Sequence, residues 1–229
     1  MIDAVLFEFD GVIADTRAAR RNALLDTLAE DGIKLDETEY VEYCSAMPVR
    51  ASVRAAFALR KLARDETTVE LTAVRAERRF STLIGPGLSL AEGARTFIES
   101  LQGHTRLAIV SWASRTEITT AVEMAQLDHA FEFVIADDDA LQSKPSPAAY
   151  ISALDRLGRR RRVTAKNVVA LEAGPAGIRA AKAAGLRCAA VGPLPVHLAV
   201  DAHALIPSLE GQTLSSIDAL TLGKHAAER

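Results

Sequence analysis

The sequence is poor in cysteine and lacks an excess of charge of either sign. Its only cysteines, Cys44 and Cys188, form neither a disulfide framework nor a metal-binding spacing. The 27 basic and 30 acidic residues give a net charge of −3, which excludes a generally basic nucleic-acid-binding protein. No apolar run approaches the roughly 20 residues of a membrane span, and the first five residues carry an acid where a signal peptide would carry Lys or Arg. We therefore expect a cytoplasmic protein with neither nucleic acid nor membrane as a partner.

The sequence does contain short apolar runs that alternate with amphipathic helical stretches, which is typical of a parallel α/β sheet. Within the runs, apolar residues are nearly continuous, as in strands that are buried on both faces. The predicted strands are Ala4–Phe9, Leu107–Val110, Phe133–Ala136, Val168–Leu171, Cys188–Val191 and the weaker Ala204–Ile206. The predicted fold class is therefore α/β with a parallel sheet.

One stretch of the chain shows helical patterns only. Its predicted helices run from Arg17 to near Gly32 and over Thr38–Cys44, Val49–Leu62 and Thr68–Leu83. Capping boxes, in which two side chains bind each other's backbone amides, are predicted at Thr67–Glu70 and Ser89–Glu92. The turn Gly85-Pro86-Gly87 is the predicted hinge back to the sheet.

This pattern predicts two domains. An α/β core comprises residues 1–15 and 84–229, and an all-helical cap comprises residues 16–83. No pattern in the sequence indicates an oligomeric state.

Polar side chains stand at the ends of several predicted strands. They are Glu8 and Asp10 at the first strand, Ser111 after the second, Lys144 in the loop after the third and Glu172 after the fourth. Ligands of open parallel sheets bind beyond the carboxyl ends of the strands, so we expect these groups to converge. Carboxylate oxygens favour Mg²⁺, a hydroxyl and an ammonium can hold a phosphoryl group, and paired carboxylates can attack phosphorus and move protons.

Four segments around these residues resemble the motifs of the haloacid dehalogenase (HAD) superfamily, within its β-phosphoglucomutase-like and phosphatase branch. They are Phe7–Thr16, Ile109–Ser111, Lys144–Pro147 and Leu171–Ile178, in the order and spacing of that family. The resemblance implies a Rossmann-like core of the HAD fold with an inserted all-helical cap that opens and closes over the substrate. It also implies Mg²⁺-dependent phosphohydrolase or phosphomutase chemistry on a small phosphorylated metabolite.

The resemblance also implies a role for each matching residue. Glu8 stands at the nucleophile position, Asp10 is the general acid/base, Ser111 and Lys144 are catalytic groups that bind the phosphoryl group, and Glu8, Asp10 and Glu172 are the metal ligands. Two further residues are candidate substrate contacts. Trp112 either forms a wall of the phosphate pocket or packs against the cap. Arg50 either binds an anionic substrate or is an ordinary exposed arginine.

Two of these positions depart from the pattern of the family. Glu8 replaces the nucleophilic Asp, and Ala173 replaces a second acidic metal ligand. One extra methylene displaces the carboxylate by more than about 1 Å, which can lower the rate roughly 10²-fold. The missing ligand weakens the Mg²⁺ site, so we predict that catalysis is weak or lost. The alternative is a non-catalytic sensor of a phosphate ligand or a protein-binding module.

Three arrangements of Glu8 are compatible with the sequence. Glu8 can act as a compensated nucleophile, or it can extend toward the oxygen position vacated at Ala173 and help to hold a metal. It can also pair with Lys144 and fill the site as a salt bridge. The last two arrangements preserve the fold without catalysis.

Overall fold

The computed structural model describes residues 2–45, 47–84, 89–139, 142–159 and 161–223. The chain divides into two compact units. The sheet unit comprises Met1–Asp15 and Leu90–Arg229, and the helical unit comprises Thr16–Ser89. The range predicted as the cap lies within the helical unit. The predicted hinge, Gly85-Pro86-Gly87, lies outside the described residues.

Six strands of the described residues form one parallel sheet. They are β1 (Ala4–Phe7), β2 (Arg106–Val110), β3 (Val134–Ile135), β4 (Val168–Glu172), β5 (Arg187–Val191) and β6 (Ala204–Ile206). The sheet order is β3-β2-β1-β4-β5-β6, so the winding of the chain reverses at β1. The predicted α/β fold class is confirmed. β1 ends at Phe7 rather than Phe9, because the chain turns at Gly11, which has a φ of 76° and donates a hydrogen bond to Ala14.

The helices of the described residues surround this sheet or build the helical unit. They are α1 (Arg17–Glu30), α2 (Glu37–Tyr43), α3 (Val49–Leu59), α4 (Glu66–Ile84), α5 (Ala94–Leu101), α6 (Arg115–Met124), α7 (Ala148–Gly158), α8 (Pro175–Ala183) and α9 (Leu214–Gly223). Among the described residues, none of these helices combines the length and the apolar character needed to cross a membrane.

Both faces of the sheet are covered, which explains the nearly continuous apolar runs. On one face Leu6 belongs to a core cluster with Leu157 of α7 and Ile178 of α8. Phe7 points to the opposite face, where its ring contacts Phe97 of α5 and Phe131, with centroids 6.2 and 5.8 Å apart. The consecutive residues Leu6 and Phe7 of β1 therefore both pack against apolar side chains, one on each face of the sheet.

The helical unit has a hydrophobic core of its own. Leu24 and Leu28 of α1 pack with Val53 and Phe57 of α3 and with Ala73 of α4. Ion pairs lie around this core, including Arg75 with Asp31 at 2.5 Å and Arg54 with Glu66 at 2.7 Å. The apolar periodicity that predicted these helices thus corresponds to one packed interior.

Two predicted capping boxes are wrong. α5 begins at Ala94, after Gly93 in a left-handed conformation, and not at Ser89. At the start of α4 the carboxylate of Asp65 accepts a hydrogen bond from the backbone amide of Thr68 at 2.8 Å, upstream of the predicted box. The sequence analysis missed a capping box at the start of α2. There the side chains of Asp36 and Glu39 each accept a hydrogen bond from the backbone amide of the other residue.

The left-handed Gly93 generates a prediction for stability. Its φ is 75°, and a Cβ at this position would lie 2.1 Å from the backbone nitrogen of Glu210. Gly103 has a φ of 74° with nothing within 4 Å of such a Cβ. We expect Gly93→Ala to lower the free energy of unfolding by about 3 kcal/mol and Gly103→Ala by about 1 kcal/mol, because only the first combines strain with a backbone clash. Urea denaturation of both variants checks this, and equal losses would contradict it.

Candidate active site

The register of the sheet brings the polar strand ends together. Phe7 of β1 lies opposite Ile109 of β2 and Leu171 of β4, so the following residues are neighbours at the carboxyl edge. This edge carries Glu8, Ser111 and Glu172, and Lys144 reaches it from the loop before α7. All four are buried, the most exposed being Glu8 at 6%. Four of the predicted site residues thus meet at the point where the winding of the sheet reverses.

The ammonium of Lys144 lies at the centre of this group. Its Nζ is 2.5 Å from Oε2 of Glu8, 2.6 Å from Oε1 of Glu172 and 2.9 Å from the carbonyl oxygen of Val110. An ammonium has three hydrogens to donate, and three acceptors are present here. Its hydrogen-bonding capacity is therefore used within the protein.

The carboxylate of Glu8 is bound through both of its oxygens. Oε2 accepts from Lys144, and Oε1 accepts from the Ser111 hydroxyl and, at 2.8 Å, from the backbone amide of Phe9. The Ser111 oxygen in turn accepts from the amide of Ala113 at 3.1 Å. Of the three arrangements that the sequence left open for Glu8, the structure contains the salt bridge with Lys144.

The sequence analysis missed two residues that hold Glu172. The fully buried Tyr150 of α7 donates its hydroxyl hydrogen to Oε1 of Glu172. A Cβ at Gly177 of α8 would lie 2.0 Å from Oε2 of Glu172, so only glycine allows this helix to pass so close. Tyr150 could have been suspected from the sequence, because a buried tyrosine hydroxyl usually needs a partner and this one follows Lys144 closely in the chain.

The charges of this cluster do not balance, because one ammonium serves two buried carboxylates. Burial alone would lower the pKa of Lys144, but the charges of Glu172 and Glu8 raise it above the ordinary value. Burial raises the pKa of Glu172 to about 7, against the opposing effect of Lys144, and the charge of Glu8 adds to the rise. Lys144 therefore keeps its proton at neutral pH, while the second carboxylate is difficult to ionise.

Two aromatic rings lie beside the ammonium. The ring centroids of Trp112 and Tyr150 are 5.5 and 5.2 Å from Nζ of Lys144, within the range of cation–π attraction. The indole Nε1 of Trp112 is buried, and no acceptor among the described residues lies within hydrogen-bonding distance of it. Trp112 thus lies beside the cluster, and its role as a wall of a phosphate pocket stays a prediction.

The remaining predicted residues are placed differently. Asp10 is partly buried just beyond β1 and forms an isolated bridge with Ala14. Arg50 is an exposed residue of α3 in the helical unit, where its guanidinium pairs with Glu70 at 2.5 Å. The roles suggested for these two residues stay predictions.

Comparison with known proteins assigns the family. A family model described as haloacid dehalogenase-like hydrolase matches residues 5–191, a range that includes all four motif segments. The chain belongs to the haloacid dehalogenase-like hydrolase family.

Two similar proteins illustrate the likeness in sequence and in fold. Protein CbbY of Cereibacter sphaeroides is 32% identical over 198 residues, which cover 82% of this chain and 83% of CbbY. A crystal structure of a CbbY variant from Rhodobacter sphaeroides in complex with xylulose 1,5-bisphosphate is 28% identical, with a TM-score of 0.77 and coverage of 95% and 99% of the two chains. β-Phosphoglucomutase of Clostridium difficile, 19% identical over the whole of both chains with a TM-score of 0.80, shares the fold.

Enzymes of this family generally use Mg²⁺, but the side chains described here do not fit that ion as they are arranged. The ammonium of Lys144 lies between the carboxylates of Glu8 and Glu172 and pairs with both. Ala173 supplies no ligand, and among the described residues no group of three His, Cys, Asp or Glu side chains is arranged to hold a metal. The metal-binding role predicted for Glu8, Asp10 and Glu172 is therefore not supported by this arrangement.

The charge imbalance predicts how stability depends on pH. Because the pKa of Glu172 rises from 4.5 to about 7 on folding, the folded state keeps a proton that the unfolded state loses in this interval. The free energy of unfolding of the native protein should therefore fall with rising pH relative to Glu172→Gln, by up to about 3 kcal/mol, and level off above neutrality. Urea denaturation of both proteins across this pH range measures the difference. A difference that is constant or increases with pH would contradict the assignment.

Proposed function

We propose that this chain is a phosphatase-branch HAD protein for a small phosphorylated metabolite, with phosphoryl transfer that is weak or lost. The observation that carries the proposal is the engagement of Glu8 by Lys144 at 2.5 Å and by Ser111. The fold is that of the haloacid dehalogenase-like hydrolases, but the residue at the nucleophile position is bound to the groups that would hold the substrate.

Reaction at Glu8 would require this arrangement to open. A nucleophilic carboxylate oxygen must be directed at phosphorus, whereas Oε2 of Glu8 is directed at the ammonium of Lys144 and Oε1 already accepts hydrogen bonds from Ser111 and Phe9. The phosphoryl group also needs the donors of Ser111 and Lys144, which are already used. Breaking a buried ion pair costs about 3–5 kcal/mol, which corresponds to a rate lower by roughly 10²- to 10⁴-fold.

The substrate class is proposed from similarity to CbbY, which is 32% identical and a structure of which contains a sugar bisphosphate. We propose a small phosphorylated sugar as the ligand of the ancestral pocket and the cytoplasm as the compartment. The free, buried thiols of Cys44 and Cys188 suit a reducing compartment. A phosphate sensor would need the same donors of Ser111 and Lys144, so their engagement with Glu8 counts against a sensor that uses this pocket as it does against turnover.

The proposal predicts that activity requires two reversions together. We expect the native protein to release no more phosphate than Asp10→Asn from a panel of sugar phosphates and a chromogenic phosphate ester with added Mg²⁺. Glu8→Asp combined with Ala173→Asp should release phosphate. The shorter side chain at position 8 would no longer reach Lys144, and position 173 would again carry an acidic residue. Each single change should stay near background, since the groups of a catalytic site act as a unit.

The outcome is read against two controls. Asp10→Asn in the doubly reverted protein should abolish the gained activity, which excludes a contaminating phosphatase. Magnesium-dependent turnover by the native protein, clearly above the Asp10→Asn background, would refute the proposed impairment while leaving the family assignment intact.

A further inference from the structure

The environment of Glu8 is that of a bound anion. Its carboxylate accepts hydrogen bonds from the ammonium of Lys144, the hydroxyl of Ser111 and the backbone amide of Phe9. These three donors come from separate parts of the chain and converge on one carboxylate. A charged group, a hydroxyl and a backbone N–H together form the kind of donor set that proteins use to bind oxyanions.

We propose that the side chain of Glu8 is a built-in ligand that occupies a preformed oxyanion pocket and excludes free anions from it. The inference rests on the proposed function, because a Glu8 that served as a nucleophile would not be a permanent occupant. It goes further in assigning the pocket a ligand class, small carboxylates and similar oxyanions, and in naming the group that blocks it.

The donors are held in place independently of Glu8. Lys144 is fixed by Glu172 at 2.6 Å and by the carbonyl of Val110 at 2.9 Å. The backbone amide of Ser111 donates to Ile135 at 2.9 Å, which ties this residue to the neighbouring strand. Removal of the Glu8 carboxylate should therefore leave the pocket assembled and its donors directed at one position.

The loss of hydrogen-bond acceptors also favours an anion once Glu8 is shortened. Lys144 would then face Glu172 alone, with one of its three hydrogens left without its acceptor. The Ser111 hydroxyl would lose its acceptor at the same time. Buried donors without partners are unfavourable, so a diffusible anion that accepts from them should stabilise the protein.

Substitution of Glu8 by alanine removes a CH₂–COO⁻ group, which has the shape and charge of an acetate ion. Acetate is therefore the matched probe for the vacated space. Trp112 is the only tryptophan of the chain, and its ring centroid lies 5.5 Å from Nζ of Lys144, so its fluorescence reports occupancy of the pocket. Glu8→Gln is the matched control, because it fills nearly the same volume with a neutral group.

The experiment titrates sodium acetate into the native protein, Glu8→Ala and Glu8→Gln at constant ionic strength. We expect a saturable change of Trp112 fluorescence in Glu8→Ala only, with a melting temperature that rises by about 3 °C at ten times Kd. The native protein should respond to neither acetate nor inorganic phosphate. If Glu8→Ala is unfolded without acetate, folding that depends on acetate, followed by circular dichroism, supports the proposal equally.

Several results would overturn the inference. They are no acetate response in Glu8→Ala, a Glu8→Ala that stays unfolded in acetate, an equal response in Glu8→Gln, and a response of the native protein to either anion. The proposed function fails separately, on turnover by the native protein. An inactive native protein combined with an unresponsive Glu8→Ala would leave the proposed function standing and remove only the built-in ligand.

Discussion

The sharing of one buried ammonium by two carboxylates is the interaction on which the candidate site depends. Lys144 binds Glu8 and Glu172 at the carboxyl edge of the sheet, where the low polarity of the surroundings makes each unpaired charge costly. The neighbouring residues accommodate this cluster. Tyr150 donates to Glu172, Gly177 leaves space for it, and Trp112 and Tyr150 present their rings to the ammonium.

This interaction connects the two departures from the family pattern. A glutamate at position 8 is long enough to reach Lys144, and the ammonium then lies between Glu8 and Glu172. Lys144 supplies a positive charge to both Glu8 and Glu172, and an alanine at position 173 adds no further negative charge next to Glu172, so both substitutions are compatible with this arrangement.

The fold was accessible to sequence reasoning because parallel strands buried on both faces and strand-end motifs leave strong local patterns. The meeting of Glu8, Ser111, Lys144 and Glu172 followed from the rule that strand ends share an edge. The choice among the three arrangements of Glu8 did not follow, because it depends on where the loop before α7 places Nζ of Lys144. Tyr150 was missed because its hydroxyl lies on an otherwise apolar helix face. The start of α5 was missed because the need for glycine at position 93 comes from the close approach of Glu210, which is distant in sequence.

The most direct test of the central interaction is a double-mutant cycle of Glu8→Gln and Lys144→Met, with the free energy of unfolding of all four proteins measured by urea denaturation. The account predicts a coupling free energy of about 2–3 kcal/mol, because residues of one buried ion-pair network are strongly non-additive. Additive effects, with a coupling free energy below about 0.5 kcal/mol, would show that Glu8 and Lys144 do not form the pair on which the account depends.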